Sequence, residues 1–568
     1  MTMLEIRRRS ALPPQEFGGD LHPVLRRVYA GRGVLNDADL DLSLERLLPV
    51  GSLEGVDAAV ELLAQHRAGR VLVIGDFDAD GATSSALLVR ALRALRFAHV
   101  DFLVPNRFTF GYGLTPGIVE LAAARAPTLL VTVDNGVSSV EGVEAALKLG
   151  IPVLVTDHHL PGSVLPRAAA IVNPNLPGSR FASPCLAGVG VAFYVVAALA
   201  RSLGVEEFRA TDLLDLVALG TVADVVPLDR NNRVLVAQGL RRIRAGRCVP
   251  GIRALLESGG RRLDRASAAD LGFAVAPRLN AAGRLTDMSL GIACLLSDEP
   301  SEAASLALQL AGLNEERREI EQRMQLEAVE IAATLQFTAG QESVGLCLFD
   351  RGWHQGVVGL VAGRIKDRLH RPVVAFAPAE DGTLRGSARS IPGVHIRDAL
   401  DSIAARNPGL IEKFGGHAMA AGMTLLEANL AQFRSAFAAE IAARADRETL
   451  TGVIHSDGEL TGAELSLDTA LALRAAGPWG QGFPEPLFDG EFQILDFRIV
   501  GGRHLKLQLR AADRPDALEA ILFGYLGGTA EPAQLQRGLR IRLAYRLEVN
   551  EYQGVERAQL NGRQFHPA

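Results

Sequence analysis

Cysteine is scarce in this 568-residue chain: Cys185, Cys248, Cys294 and Cys347 lie far apart and none forms a C-x-x-C pair. Neither a disulfide framework nor a cysteine zinc site is indicated, and a reducing cytoplasm is the expected compartment. Long apolar runs are also lacking. The longest, Leu186 to Ala200, stops at Arg201, short of the about 20 residues needed to cross a bilayer. It predicts a buried helix, and no membrane partner is expected. No apolar segment follows Arg7-Arg8-Arg9 at the N-terminus, so no secretory leader is expected. Excess positive charge is missing as well: 59 Lys plus Arg stand against 65 Asp plus Glu, a net charge of −6. A nucleic-acid partner would therefore have to be held by a local basic groove rather than by global charge. There is no G-x-x-x-x-G-K-[ST], and so no sign of nucleotide-driven work.

What is present is a composition that buries cores, with 48% hydrophobic and 22% charged residues and only 27 Pro. At roughly 150 residues per domain, three or four folding units are expected. From Arg70 to Asp157, short β-rich runs alternate with longer helical patterns: Val71–Ile74, Ala82–Leu95, Leu129–Val133, Val140–Leu149 and Val153–Thr156. This is the pattern of βαβ units on a parallel sheet. Three runs lead into an acid, Asp76, Asp134 and Asp157, and in open parallel sheets the carboxyl ends of strands line the ligand crevice. A long helical composition from Glu299 to Leu335 predicts a connecting helix on the order of 50 Å long. A second α/β unit follows, and after Thr451 the texture becomes β. His504–Arg510 and Leu539–Leu547 alternate strictly and place Lys506, Arg510, Arg540, Arg542 and Arg546 among apolar residues, which suggests a small barrel. On the sequence pattern by itself, an ordinary solvated sheet face is the preferred reading of those cations.

The densest chemistry lies in Asp76-Phe77-Asp78-Ala79-Asp80-Gly81. Three carboxylates at alternate positions on a strand-to-helix turn can be aimed the same way by extended geometry. Helix capping accounts for one of them; divalent cations account for the rest. Asp157-His158-His159 sits at another strand end, and the imidazoles beside hard oxygen ligands tilt the choice between Mg²⁺ and Mn²⁺ toward Mn²⁺. Asp224 could join the set, although a single Asp at a turn is common. Two cations about 3.5–4 Å apart clamp the oxygens of an in-line displacement at phosphorus, so phosphoester hydrolysis is the expected reaction class. Arg278–Arg284, Gly386–Ser390 and Gly415–Gly422 combine glycine with Arg or His417, a combination suited to holding phosphates.

These segments, in this order, resemble the four motifs of the DHH phosphoesterase superfamily. Val104–Phe108, Gly111–Leu114, Pro277–Arg284, Trp353–Gly359 and Phe414–Gly422 are similar to its bacterial branch of single-strand-specific exonucleases. The resemblance implies an α/β architecture: an N-terminal segment with a parallel-sheet DHH catalytic domain (1–298), a connecting helix (299–336), a second α/β domain of DHHA1 type forming the other wall of a narrow groove (337–448), and a C-terminal β-barrel of OB type that binds nucleic acid (449–568). It implies two Mn²⁺ or Mg²⁺ ions, with Asp78 and Asp80 as ligands of different ions, Asp134 as the bridge, His158 and Asp224 on the second ion, and Asp76 supporting the first. His159, oriented in the Asp157-His158-His159 run, is expected near the scissile phosphate, with Asp134 and Asp157 counted beside it in catalysis. Arg278, Asn280 and Arg284 resemble phosphate contacts; Arg107, Ser387 and Arg389 resemble a pocket for a terminal 5′-phosphate, Tyr112 a base-stacking residue, and His417 a further substrate contact. The implied activity is 5′-to-3′ hydrolysis of single-stranded DNA to mononucleotides in repair and recombination. A single-stranded-DNA-binding protein and a DNA helicase are the implied partners of a monomeric enzyme. Two departures fall near the 5′-end pocket: Thr109-Phe110 stands where many relatives carry acids, and Ala388 where a glycine is usual. A hydrolase of the same chemistry acting on pyrophosphate, cyclic dinucleotides or very short oligonucleotides is disfavoured by the extra β-region, and a non-catalytic DNA-binding scaffold by the complete acid and histidine set.

Overall fold

The structure is a computed structural model that describes residues 4–10, 17–18, 21–106, 109–338, 344–379, 382–446, 448–525 and 535–567. The chain folds into two compact units. One, the parallel-sheet unit, comprises Asn36–Glu316 with the short segment Gly477–Glu485; the other, the terminal unit, comprises Met1–Leu35, Arg317–Ala476 and Pro486–Ala568. Among the described residues no helix is long and apolar enough to cross a membrane.

Strand β1 (Glu5–Arg8) lies in the terminal unit. The parallel-sheet unit follows with β2 (Arg70–Ile74), β3 (His99–Leu103), β4 (Leu129–Val133), β5 (Val153–Thr156) and β6 (Ala170–Val172). All are parallel, in the order β3-β2-β4-β5-β6. The continuous Val/Leu/Ile runs of β2 and β4 are buried, as strands covered on both faces require. Strand order reverses between β2 and β4, which makes their carboxyl ends the topological switch point where such sheets hold ligands. Asp76 follows β2 and Asp134 follows β4. The apolar run from Leu186 forms the helix Gly188–Leu203, largely buried.

The helix Pro300–Thr338 has 39 residues, on the order of 58 Å at the α-helical rise, and it passes from one unit to the other after Glu316. In the terminal unit, β7 (Leu346–Phe349), β8 (Val373–Pro378), β9 (Thr383–Arg389), β10 (Lys413–Gly416) and β11 (Ala420–Leu426) form a mixed sheet in the order β10-β11-β9-β8-β7. Strand β12 (Val453–Ser456) pairs in parallel with β1. Then β13 (Phe488–Val500), β14 (His504–Ala511), β15 (Leu518–Leu522), β16 (Arg540–Tyr552) and β17 (Val555–Pro567) close into a barrel in the order β13-β14-β15-β17-β16.

Two expectations change here. The N-terminal segment, expected with the catalytic domain, joins the terminal unit instead. Besides the pairing of β1 with β12, the Arg8 guanidinium donates to the buried Asp489 carboxylate at 3.0 and 2.9 Å, and Arg32 donates to Asp457 at 2.7 Å. Strand pairing between residues more than 400 positions apart leaves no local trace in sequence. The barrel cations are also unequal: Lys506 pairs with Glu519 at 3.0 Å and Arg542 with Asp489 at 2.7 Å, whereas Arg510 and Arg540 are exposed. Both stand opposite Gln493, one on each side, so they form one row across three strands.

Candidate metal centre and active site

The helix after β2 begins at Ala79, not near Ala82 as the pattern suggested, and this changes what each acid does. Asp78 is its N-cap, accepting from the Asp80 and Gly81 amides at 3.0 Å each. Asp80 therefore lies in the first helical turn, where its buried carboxylate accepts from the Gly188 and Val189 amides at 2.7 and 3.1 Å. Those amides open the helix Gly188–Leu203, whose N-terminus favours negative charge. The three acids are thus not a row in extended alternation; the turn divides them. Asp76 and Asp78 group with Asp134, while Asp80 groups with His158 and Asp224; Asp134 also groups with His158 and His159, and within each group the ligand atoms lie within 4.8 Å of one another.

Asp134 itself sits at φ +61°, a left-handed backbone that non-glycine residues adopt at a cost of about 1–3 kcal/mol. Opposite it, a Cβ on Gly188 would come 2.6 Å from the Asp134 Cβ, so only glycine can begin the helix that holds Asp80. His158 Nε2 lies 3.1 Å from Asp134 Oδ1 and 3.4 Å from Asp224 Oδ2. All three atoms are buried, and none makes a hydrogen bond. Buried polar atoms normally find partners. Two carboxylate oxygens and an imidazole nitrogen converging unsatisfied are the donor set of Mn²⁺ or Mg²⁺.

The electrostatics agree. Burial, reinforced by the neighbouring carboxylates Asp224 and Asp78 for Asp80 and by Asp80 and Asp78 for Asp134, pushes both acids well above the usual range. Burial raises Asp224 too, against the opposing pull of His158. Asp157 behaves in the opposite way: burial would raise it, but its hydrogen bond with His159, Nδ1 to Oδ1 at 2.8 Å, leads the effects that hold it low. A carboxylate only accepts, so Nδ1 carries the proton. His159 is raised to about 9: burial opposes the charge, but the Asp157 hydrogen bond and surrounding carboxylates outweigh it.

Asp80, Asp134, Asp224 and His159 each bind protons more tightly folded than unfolded, so unfolding free energy falls as pH rises. The His159 share is complete below its ordinary 6.5 and lost through about 9. Metal-free protein is expected to lose Tm between about pH 6.5 and 9, with Mn²⁺ restoring it by replacing protons in the cluster. Thermal unfolding scans with EDTA or Mn²⁺ test this; a metal-free Tm that rises across that window contradicts it.

The remaining candidates divide by position. Tyr112 stands at the centre, edge-on to Phe77 and His159, with its hydroxyl 3.2 Å from His159 Nδ1 and 3.3 Å from the Asp134 carbonyl. Arg278, Asn280 and Arg284 lie on the helix Ala276–Leu285, not on a glycine loop. Asn280 Oδ1 accepts from the Ala79 amide at 2.8 Å, and a Cβ on Gly283 would meet the Phe77 carbonyl oxygen at 1.8 Å. Gly283 thus serves close packing of this helix on the acid-bearing turn. Arg278 donates to the Ala274 and Ser258 carbonyls. Arg107 lies outside the described residues.

Ser387, Arg389 and His417 lie in the terminal unit. Ser387 and Arg389 face Gly359 of the helix Val358–Leu369, whose Cβ would meet Arg389 Nη2 at 2.9 Å and Ser387 Oγ at 3.1 Å. Ala388 points to the opposite side of β9, fully buried in the apolar core, so its methyl group leaves the Ser387 face unchanged. Phe110 likewise packs on the apolar cluster around Leu114 and Ile118. Gly415 and Gly422 pair in register beside Ser387, and a Cβ on either would meet open space. His417 is an exposed turn residue.

The structure adds residues the sequence reading passed over. Asn173 Nδ2 donates to the His159 carbonyl at 2.9 Å, and Asn175 Nδ2 to the His158 carbonyl at 2.6 Å. Asn135 Nδ2 ties the ends of β2 and β4 by donating to Ile74 and Val133 carbonyls at 3.2 and 2.9 Å. Asn173-Pro174-Asn175 directly follows a strand, and that position was the available signal.

A switch-point sheet carrying divided carboxylates and an Asp-His-His run defines a DHH-type catalytic fold, and residues 70–221 match the DHH family, N-terminal domain. Residues 341–443 match the DHHA1 domain and residues 456–564 the RecJ OB domain. The single-stranded-DNA-specific exonuclease RecJ of Salmonella typhimurium is 52% identical, over 98% of each chain; that of Escherichia coli is 51% identical over the same shares. The crystal structure of RecJ from Thermus thermophilus in complex with Mn²⁺ superposes with a TM-score of 0.80 at 31% identity, covering 97% of this chain and 76% of that one. The chain belongs to the RecJ family of single-stranded-DNA-specific exonucleases.

Proposed function

We propose that the chain is a metal-dependent exonuclease that hydrolyses single-stranded DNA from the 5′ end to mononucleotides, in DNA repair and recombination. The observation that supports catalysis over a scaffold role is the convergence of unsatisfied Asp134 Oδ1, His158 Nε2 and Asp224 Oδ2. Asp76, Asp78 and Asp134 would hold one ion, and Asp80, His158 and Asp224, with Asp134, the other. Two bound Mn²⁺ or Mg²⁺ ions supply an activated water and neutralise charge at the phosphate.

The protein's own groups do the rest. Asp157 fixes the His159 ring through Nδ1, directing Nε2 to a phosphate oxygen. Asn173 and Asn175 hold the backbone that carries both histidines. Asn280 locks the Ala79 amide and so the position of Asp78. On this reading the enzyme works as a cytoplasmic monomer, with a single-stranded-DNA-binding protein and a helicase as partners; sedimentation and co-purification test those points. For the activity, linear single strands, circular single strands and duplexes are incubated with Mn²⁺ or EDTA. Degradation confined to linear single strands with metal is expected, and equal degradation of circles contradicts the proposal.

The barrel is read as the OB-type surface for the strand. Replacing both Arg510 and Arg540 with Ala should weaken long-strand binding and reduce the slope of log affinity against log salt by about two, one for each lost phosphate contact. Salt-titrated anisotropy measures it, and an unchanged slope returns those cations to a solvated face. Paired substitution keeps Gly477–Glu485 in place, which a truncation at Thr451 would remove from the parallel-sheet unit. That segment packs on Pro227-Leu228, close after Asp224: Leu228 N donates to the Gln481 carbonyl at 2.7 Å, and Arg233 lies 4.3 Å over the Phe483 ring.

A further inference from the structure

The parallel-sheet unit carries a strongly cationic face that the proposed mechanism leaves unused. Residues 241–265 hold a density of arginine found nowhere else in the chain, against only Glu257 and Asp264, in a protein of net charge −6. Hydrogen bonds gather three segments of this stretch. Arg244, near the end of the helix Arg230–Arg244, donates to the Ala266 carbonyl at 2.7 Å. Arg253, on the helix Pro250–Ser258, reaches back to the Gly246 carbonyl at 3.0 Å. Arg261 pairs with Asp270 at 3.3 Å with half of its side chain exposed. Arg253, Arg262 and Arg265 are exposed as well.

Close to Arg261 stands the most exposed large apolar side chain among the described residues, Phe273, at 77%. It lies one turn beyond Asp270, the partner of Arg261, in the π-helical turn Leu271–Val275; such turns recur at functional sites. The Gly259 backbone packs on Ala274, the next residue: a Cβ there would lie 3.2 Å from the Ala274 Cβ. The same stretch is tied to the candidate active site, since Arg278 donates to the Ser258 carbonyl at 3.1 Å and Asn280, on the same helix, receives the Ala79 amide.

We infer that this face is an accessory binding surface for single-stranded DNA, with Phe273 stacking on a base and Arg261, Arg262 and Arg265 holding backbone phosphates. Guanidinium groups around an exposed aromatic ring are the combination that holds an unpaired strand without reading its sequence. The exposed Arg262–Asp264 pair is worth little in water, so a phosphate can displace its carboxylate. The inference rests on the exonuclease reading and extends it to the part of the strand away from the scissile bond.

The test is fluorescence anisotropy of labelled long single strands on the full chain in EDTA, at several salt concentrations, beside Mn²⁺-dependent hydrolysis of a short linear single strand. Phe273→Ala is expected to weaken long-strand binding about tenfold, the loss of one stacked base. Phe273→Trp should restore it. Arg262→Ala with Arg265→Ala should lower the salt slope by about two. Hydrolysis of the short strand at saturating concentration should be unchanged in all three, which also reports an intact fold. Wild-type affinity and slope in these variants, with short-strand hydrolysis intact, would overturn the accessory surface and leave the exonuclease reading standing. A wild-type protein that neither binds nor cuts single strands would overturn both.

Discussion

Asp134→Asn is expected to lower hydrolysis of single-stranded DNA on the order of a thousandfold or more, about 4 kcal/mol of transition-state stabilisation, while the protein stays folded. Asp134 belongs both to the Asp76/Asp78 group and to the group with His158 and His159, so its charge serves both proposed ions. Asparagine keeps the side-chain shape and tolerates the left-handed backbone at φ +61°. It also removes one of several mutually repelling buried carboxylates. The metal-free variant should therefore be at least as stable as metal-free wild type, and Mn²⁺ should raise its Tm less. Turnover and thermal unfolding measured together check this. Near-wild-type turnover in a folded Asp134→Asn protein would defeat the proposed role of Asp134, and a large loss of Tm in EDTA would show that the carboxylate has a structural role.

Polarity should be equally decisive. With strands labelled at one end or the other, labelled mononucleotide should appear early from the 5′ label and only at the end of the reaction from the 3′ label. Ser387 Oγ and the Arg389 guanidinium stand together over Gly359, beside the bare Gly415 and Gly422 backbone. A terminal phosphate carries more charge than an internal diester and suits a guanidinium flanked by an open backbone surface. Burial lowers the Arg389 pKa from its ordinary value, as expected of a cation that gains from an anionic partner. Arg389→Ala should reduce the preference for 5′-phosphorylated over 5′-hydroxyl ends without changing the metal requirement. Early release of the 3′ label would reverse the proposed polarity.

Much of this protein is determined by local sequence. Short, continuous β-rich apolar runs alternating with longer period-3.6 patterns specify the strands and helices from Arg70 to Thr156, because parallel strands are buried on both faces and the helices that cover them on one. The acids Asp76, Asp134 and Asp157 are legible at the ends of those strands, and Asp-His-His with them, because a parallel sheet presents all its carboxyl ends on one edge. The extended alternation inferred for Asp76, Asp78 and Asp80 fails because Asp78 caps the helix three residues earlier, a competition between capping and strand geometry that composition does not resolve. Tertiary structure alone decided the rest. It paired β1 with β12, set the Gly188 and Val189 amides on Asp80, and brought Gly477–Glu485 to Pro227-Leu228. It turned Gly283 toward packing and Ala388 toward the core. Each of these contacts joins residues distant in sequence, where loop closure and burial select the partner and no local propensity records it.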